Sequence, residues 1–206
     1  MTRQLLLECK GLKLGTINIP AFQVLLGEVI AVVEPTESWD ECINLMRVLS
    51  GRAAAQGVTV NCQVGILDPF LSFAQGEGIM DRPLPDLLRD NGLTESEAYE
   101  VIVAAGLQPN LTYRDAQLTN RLLLEIKVSL LRGVQFMVFA TAGLDPLGVD
   151  RVLTEARNCR TQCSSLALFH ESLASYHESI GLFDRLCDRM LHISKRQSAS
   201  ATGDSA

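Results

Sequence analysis

The sequence predicts an α/β fold, a mostly parallel sheet flanked by helices with a small antiparallel β part near the N-terminus. Three observations carry that expectation. Val29-Ile30-Ala31-Val32-Val33 is a continuous β-branched run, the pattern of a strand covered on both faces, and Val134 to Ala140 is a second buried-strand candidate, again β-branched and aromatic. Segments with helical spacing of apolar residues alternate with these and with other short strand-like runs, as parallel strands joined by crossover helices require. The chain has 206 residues, 47% of them hydrophobic and 20% charged, enough apolar material for one packed domain and too much for a disordered chain.

In chain order, Leu5 to Leu14 and Ile17 to Val24 alternate in part and read as two strands. Gly27-Glu28 turns the chain into the buried run Val29–Val33, which stops at Glu34-Pro35. Trp39 to Leu49 carries Ile43, Met46 and Leu49 at spacing three and ends at Ser50-Gly51, a helix. Val58 to Leu67 is a strand region. Gly76 to Gly92 is rich in Gly, Pro and Asp and reads as loop, with a short helix around Leu84 to Arg89. Thr94 with Glu97 has capping-box spacing and opens a helix to Ala105, where Gly106 stops it. Leu118 to Arg132 is a strongly apolar helix ending at Gly133, and Val134 to Ala140 follows as a strand. Helices are expected over Asp150 to Arg160 and Tyr176 to Arg185, and strands over Ser165 to Phe169 and Arg189 to Ser194. From Lys195 the composition turns to Ser, Ala, Thr and Gly, so residues 195–206 are expected to be a disordered tail.

Composition also excludes function classes. The net charge of −6 offers no general attraction to nucleic acid or anionic lipid. No run approaches the roughly 18 apolar residues of a membrane span. Met1-Thr2-Arg3-Gln4, Leu5 to Leu7 and then Glu8 give too short an apolar run for a signal peptide, so a cytoplasmic protein is expected. The six cysteines are scattered, and free buried thiols are expected; Cys159 and Cys163 stand four apart without a partner pair, and His170, His177 and His192 make no ligand set.

Five places, in order and with compatible gaps, resemble the ATPase domain of ABC transporters. Gly27 to Val33, an eight-residue loop, a helix and Leu49-Ser50-Gly51 look like the family's strand, phosphate loop and helix. Val64-Gly65-Ile66-Leu67 is similar to the strand before its glutamine loop. Val103 to Leu107 followed by the helix at Leu118 resembles the approach to its signature motif. Ala142-Gly143-Leu144-Asp145-Pro146 is similar to its D-loop, and Leu166 to Glu171 to its switch-histidine strand. The resemblance implies a P-loop NTPase core of residues 1–76 and 131–194 with a helical subdomain of residues 77–130.

The chemistry of that family is missing from the matching positions. A phosphate loop needs glycines that turn backbone N–H groups toward phosphate, a lysine, and a hydroxyl for magnesium. Here the loop reads Glu34-Pro35-Thr36-Glu37-Ser38-Trp39-Asp40-Glu41, with Trp39 at the second glycine, Asp40 at the lysine and Glu41 at the hydroxyl. Four acids and no base face the polyphosphate position, and like charges cost about 1 kcal/mol per pair at about 4 Å even in water. Ser38 and Glu41 have capping-box spacing, so the helix can satisfy its own N–H groups where the family holds phosphate. By the family's spacing, the magnesium aspartate falls on Val138 and the catalytic glutamate on Phe139. The signature reads Leu118-Thr119-Asn120-Arg121-Leu122, without its glycines, and the Q-loop glutamine falls near Asp68 or Pro69. The retained D-loop Gly143-Leu144-Asp145 and the retained switch His170 are expected to serve turn chemistry and a structural or surface role.

The expected function is therefore that of a pseudo-ATPase: no catalytic residue, no nucleotide, no cofactor and no metal, with surfaces that hold protein partners. An ABC-like or membrane subunit is the expected partner, in a membrane-associated assembly at the inner face of the membrane, with a homodimer or heterodimer across the relict face. Two alternatives stand beside it. One is a cytosolic adaptor that binds through the helical segment near Leu84 to Ala105; the other is an enzyme with a new acidic metal site at residues 34–41.

Overall fold

The computed structural model describes residues 3–53, 55–67 and 79–195. The chain starts with an antiparallel hairpin, β1 (Leu5–Leu14) and β2 (Ile17–Leu25), in register from Leu14 opposite Ile17 to Leu7 opposite Val24. β3 (Val29–Glu34) follows, every residue buried, and leads through a short loop into α1 (Trp39–Leu49). This is the strand, loop and helix that the buried run at Val29 predicts.

The expected strand region Val58 to Leu67 is two strands in two sheets. β4 (Val58–Val60) pairs antiparallel with β1, whereas β5 (Val64–Leu67) joins the parallel sheet. Between them the polar Asn61-Cys62-Gln63 carries the chain across; Asn61 N–H donates to Leu6 O, and Gln63 O accepts from Gln135 N–H. A single 3-10 turn (Ile79–Asp81) then precedes α2 (Leu84–Asp90), α3 (Glu95–Ala104) and α4 (Leu118–Leu131). The capping box at Thr94 forms as its spacing predicts, Thr94 Oγ1 accepting from Glu97 N–H and Glu97 Oε2 accepting from Thr94 N–H.

β6 (Phe136–Ala140) is followed by α5 (Pro146–Asn158), four residues earlier than the sequence suggests. Pro146 fits the first helical turn because its missing N–H would have no partner there, and Asp145 caps the start. β7 (Ser164–His170) leads directly into α6 (Glu171–Ser179), and α7 (Leu182–Leu186) follows. The one helix expected over Tyr176 to Arg185 is broken by Gly181, whose φ of +65° is left-handed and open to glycine at no steric cost. The last strand region also divides. β8 (Arg189–His192) lies beside β3, and β9 (Ser194–Lys195) crosses to the antiparallel sheet. Lys195, expected at the head of the tail, pairs opposite Ile17 instead; residues 196–206 lie outside the described residues.

The parallel sheet has the order β5-β6-β7-β3-β8 and the antiparallel sheet the order β4-β1-β2-β9. Alternation along the strands divides the core. Ile30, Val32, Phe136, Val138, Leu166 and Leu168 face α1 and the antiparallel sheet. Val29, Ala31, Val33, Met137, Phe139 and Phe169 face the opposite way and share one apolar cluster with α4, α5 and the helices α2 and α3. Burying such side chains stabilises by about 1.5–3 kcal/mol each. Both faces being covered explains why the central strands read as unbroken apolar runs.

Candidate functional site

The C-terminal ends of β3, β6 and β7 are neighbours, and an open cleft of about 200 Å³ lies there, lined by Glu34, Thr36, Glu37, Ser38, Trp39, Cys42, Ala142 and His170. The loop of residues 34–41, Ala142 and His170, which the sequence resemblance matches to a phosphate loop, a D-loop and a switch histidine, are thus brought together. In open α/β sheets this end of the strands is where ligands bind.

The loop amides that a phosphate would need are occupied from within. Thr36 N–H donates to Glu34 Oε2 at 2.6 Å, Glu37 N–H to Glu41 Oε2 at 2.8 Å, and Glu41 N–H to Ser38 Oγ at 3.2 Å. Glu34 is buried, with its carboxyl oxygen facing the turn. Ser38 is the N-cap of α1, as the spacing predicts, but only half of the expected capping box forms, since the Glu41 carboxylate reaches one residue further to Glu37 N–H. Asp40 and Glu41 in the first helical turn also complement the positive end of the helix dipole.

Glu37 turns outward to an ion pair with Lys195 of β9. That hydrogen bond and the lysine's charge hold the Glu37 carboxyl below its ordinary range, and the carboxylate in turn raises the Lys195 ammonium. The four acids therefore diverge, to Thr36, to Lys195, to Glu37 N–H and, for Asp40, to solvent. Among the described residues no three His, Cys, Asp or Glu side chains come close enough to share a metal ion. Residues 34–41 assemble no acidic metal site, because backbone amides and a lysine hold three of the carboxylates and Asp40 turns to solvent.

Val138 and Phe139, which the resemblance matches to magnesium and base positions, lie in β6 with no exposure. Val138 packs toward α1 and Phe139 toward the helical side, so neither points into the cleft. Just past β6, Thr141 N–H and Oγ1 both donate to Leu168 O at 2.9 Å.

The relict signature opens α4. Arg121 folds back, Nε donating to Ala116 O and an Nη to Arg114 O, both at 2.8 Å, with its guanidinium 5.0 Å from the Tyr113 ring centre. Asn120 Nδ2 reaches Gly106 O at 3.5 Å. Thr119 is buried against α5, so closely that a Cβ at Gly148 would lie 2.3 Å from Thr119 Oγ1. This contact joins the signature helix to the D-loop helix inside one chain, a relation that no spacing in the sequence announces. The D-loop itself is exposed at Gly143 and Asp145, half-buried at Leu144, and serves helix capping: Asp145 Oδ1 accepts from Gly148 N–H at 2.6 Å. Asp68 and Pro69, at the Q-loop position, lie outside the described residues.

His170 is the N-cap of α6. Its Nδ1 accepts from Ser172 N–H at 3.3 Å and lies 2.6 Å from Ser172 Oγ. His177, in the last turn of α6, is buried among Phe169, Phe183 and Tyr176, its Nδ1 without a hydrogen-bond partner; burial lowers its pKa. None of the six cysteines is in a disulfide, and Cys62 and Cys159 are half-buried rather than buried. Burial pushes the Cys163 and Cys187 thiols up to about 12, leaving them protonated.

No protein-family model matches the sequence, and no curated protein matches it. Solved structures do match in fold. One is cbiO1 from Clostridium perfringens, part of the ABC transporter complex cbiONQ, with a TM-score of 0.64 and 13% identity over 92% of this chain and 85% of that one. Another is a nucleotide-free ATP-binding cassette from an ABC transporter, with a TM-score of 0.62 and 11% identity over 92% of this chain and 90% of that one. At such identity the likeness concerns the fold, and it spans nearly the whole chain. The parallel sheet with α1 and the antiparallel sheet on one face and the remaining helices on the other is the fold of an ABC transporter ATPase domain.

Proposed function

We propose that this chain neither binds nor hydrolyses ATP and acts as a structural or regulatory protein-binding subunit, in a transporter-like assembly at the cytoplasmic face of a membrane. The occupied loop carries this reading: the Thr36, Glu37 and Glu41 amides already donate to Glu34, Glu41 and Ser38. A phosphate would have to displace two carboxylates from their amides and approach Asp40, where a lysine would be needed. Apolar Val138 and Phe139 support the same reading, since they can neither ligate magnesium nor act as a base. The fold neighbour described as part of an ABC transporter complex supports the assembly, with an ABC-like or membrane subunit as partner.

Isothermal titration of the purified chain with Mg-ATP, paired with a melting scan in the same buffer, tests this. The expected result is no heat and no shift in melting temperature. Micromolar binding would overturn the reading and call for turnover assays.

A further inference from the structure

β7 runs into α6 without a connecting loop, and His170 is both the last residue of the strand and the N-cap of the helix. In the sheet it lies opposite Glu34 of β3, and in the cap its Nδ1 accepts from Ser172 N–H at 3.3 Å. Of the nine residues of α6 only Ala174 and His177 are buried. Packing therefore fixes the first turn weakly, and the cap matters more than in a well-covered helix.

The usual cap residues are Ser, Thr, Asp and Asn, whose oxygens accept throughout the neutral range. Imidazole differs, because its charge changes between about pH 5 and 8 and a ring nitrogen that carries a proton has no lone pair to offer an amide. Ser172 Oγ, 2.6 Å from the same Nδ1, gives an incoming proton a partner. A hydroxyl can donate to Nδ1 of the neutral ring and accept from Nδ1–H of the charged one, whereas a backbone N–H can only donate and loses its acceptor. A charged ring also sits unfavourably at the positive end of the α6 dipole. The charged and titratable groups around the ring are Glu34 of β3, Glu37 of the loop and Cys42 of α1, which line the same cleft, and Glu171 on α6 itself; Lys195 of β9 is the ion-pair partner of Glu37. Among the described residues no lysine or arginine lines that cleft, so a charged ring meets no like charge in its wall.

We propose that His170 is a proton-operated cap. Neutral, it ties the first turn of α6 to the end of β7; on taking up a proton at Nδ1 it donates to Ser172 Oγ and releases the Ser172 amide. The start of α6 is thus held above neutral pH and loosened in mild acid. The device is independent of whether the chain binds ATP.

The test is NMR of the full chain between about pH 8 and 5, following the histidine ring nitrogens and the backbone amides together. His170→Asn identifies the His170 ring signals by their loss and supplies a cap that takes up no proton. His170→Ser serves the same purpose if the asparagine variant lowers the melting temperature. In the wild type, Nδ1 is expected to carry no proton at the alkaline end. As the ring charges, the Ser172 amide should lose its downfield shift and its protection from exchange, corrected for pH, with the same midpoint as the ring. In the His170 variants the Ser172 amide should stay bonded throughout. His177→Leu should leave the wild-type response unchanged, because that ring is buried among aromatic side chains at the other end of α6. A ring that stays neutral over the whole range overturns the proposal, as does one that charges while the Ser172 amide does not respond. The same amide response in His170→Asn, or its disappearance in His177→Leu, overturns it equally.

Discussion

Gly148 of α5 stands against Thr119 of α4 with no room for a methyl group, the nearest approach of a built Cβ being 2.3 Å to Thr119 Oγ1. The start of α4 and the first turn of α5 are thereby packed onto each other. The Lys127–Glu155 ion pair ties the same two helices further along.

Gly148→Ala should destabilise the fold by about 1 kcal/mol, because overpacking costs about 1–3 kcal/mol and exceeds the gain of about 1 kcal/mol from replacing a helical glycine. In a Thr119→Ala background the clashing oxygen is gone, and the nearest atoms become Asp145 Oδ1 at 3.1 Å and the Cβ of residue 119 at 3.5 Å. There the same change should be neutral or stabilising. Urea unfolding of the four proteins in a double-mutant cycle checks it, and additive effects would show that the contact does not limit packing.

Ser38 supplies the N-cap of α1. Ser38→Ala should cost about 1 kcal/mol and Ser38→Gly only a few tenths, since the peptide N–H groups left by glycine are better hydrated. Equal losses in chemical denaturation would assign the effect to something other than the cap.

Asp40→Lys restores the charge that a phosphate loop requires but leaves the amides of Thr36, Glu37 and Glu41 engaged and the positions of Val138 and Phe139 apolar. No ATP binding is expected in calorimetry at micromolar protein. Appearance of binding would mean that charge alone had closed the site.

Burial lowers the His177 pKa in the folded chain, so the unfolded chain takes up the proton first as pH falls. The resulting stability is complete above the unfolded value of about 6.5 and is lost as pH drops from there toward the folded value. His177→Leu should remove this part of the pH dependence. Melting temperatures of both proteins between pH 7 and 5 give the comparison, and parallel curves would rule out His177 as the source.

The sequence by itself determined the central strands, because Val29–Val33 and Phe136–Ala140 are covered on both faces and every position must be apolar. It also determined the Ser38 cap of α1, since a cap depends on local spacing and chemical identity. Where neighbouring segments join different sheets, local pattern was silent. Val58–Val60 and Val64–Leu67 look alike in sequence, and the edge available to each strand decided between them. Tertiary structure alone brought Lys195 to Glu37 and Thr119 to Gly148, contacts between residues far apart in the chain that depend on helix docking and on the path of the last strand. It also turned Glu41 to the Glu37 amide instead of the cap residue, since spacing fixes which residues are within reach and packing of the turn fixes which amide is presented.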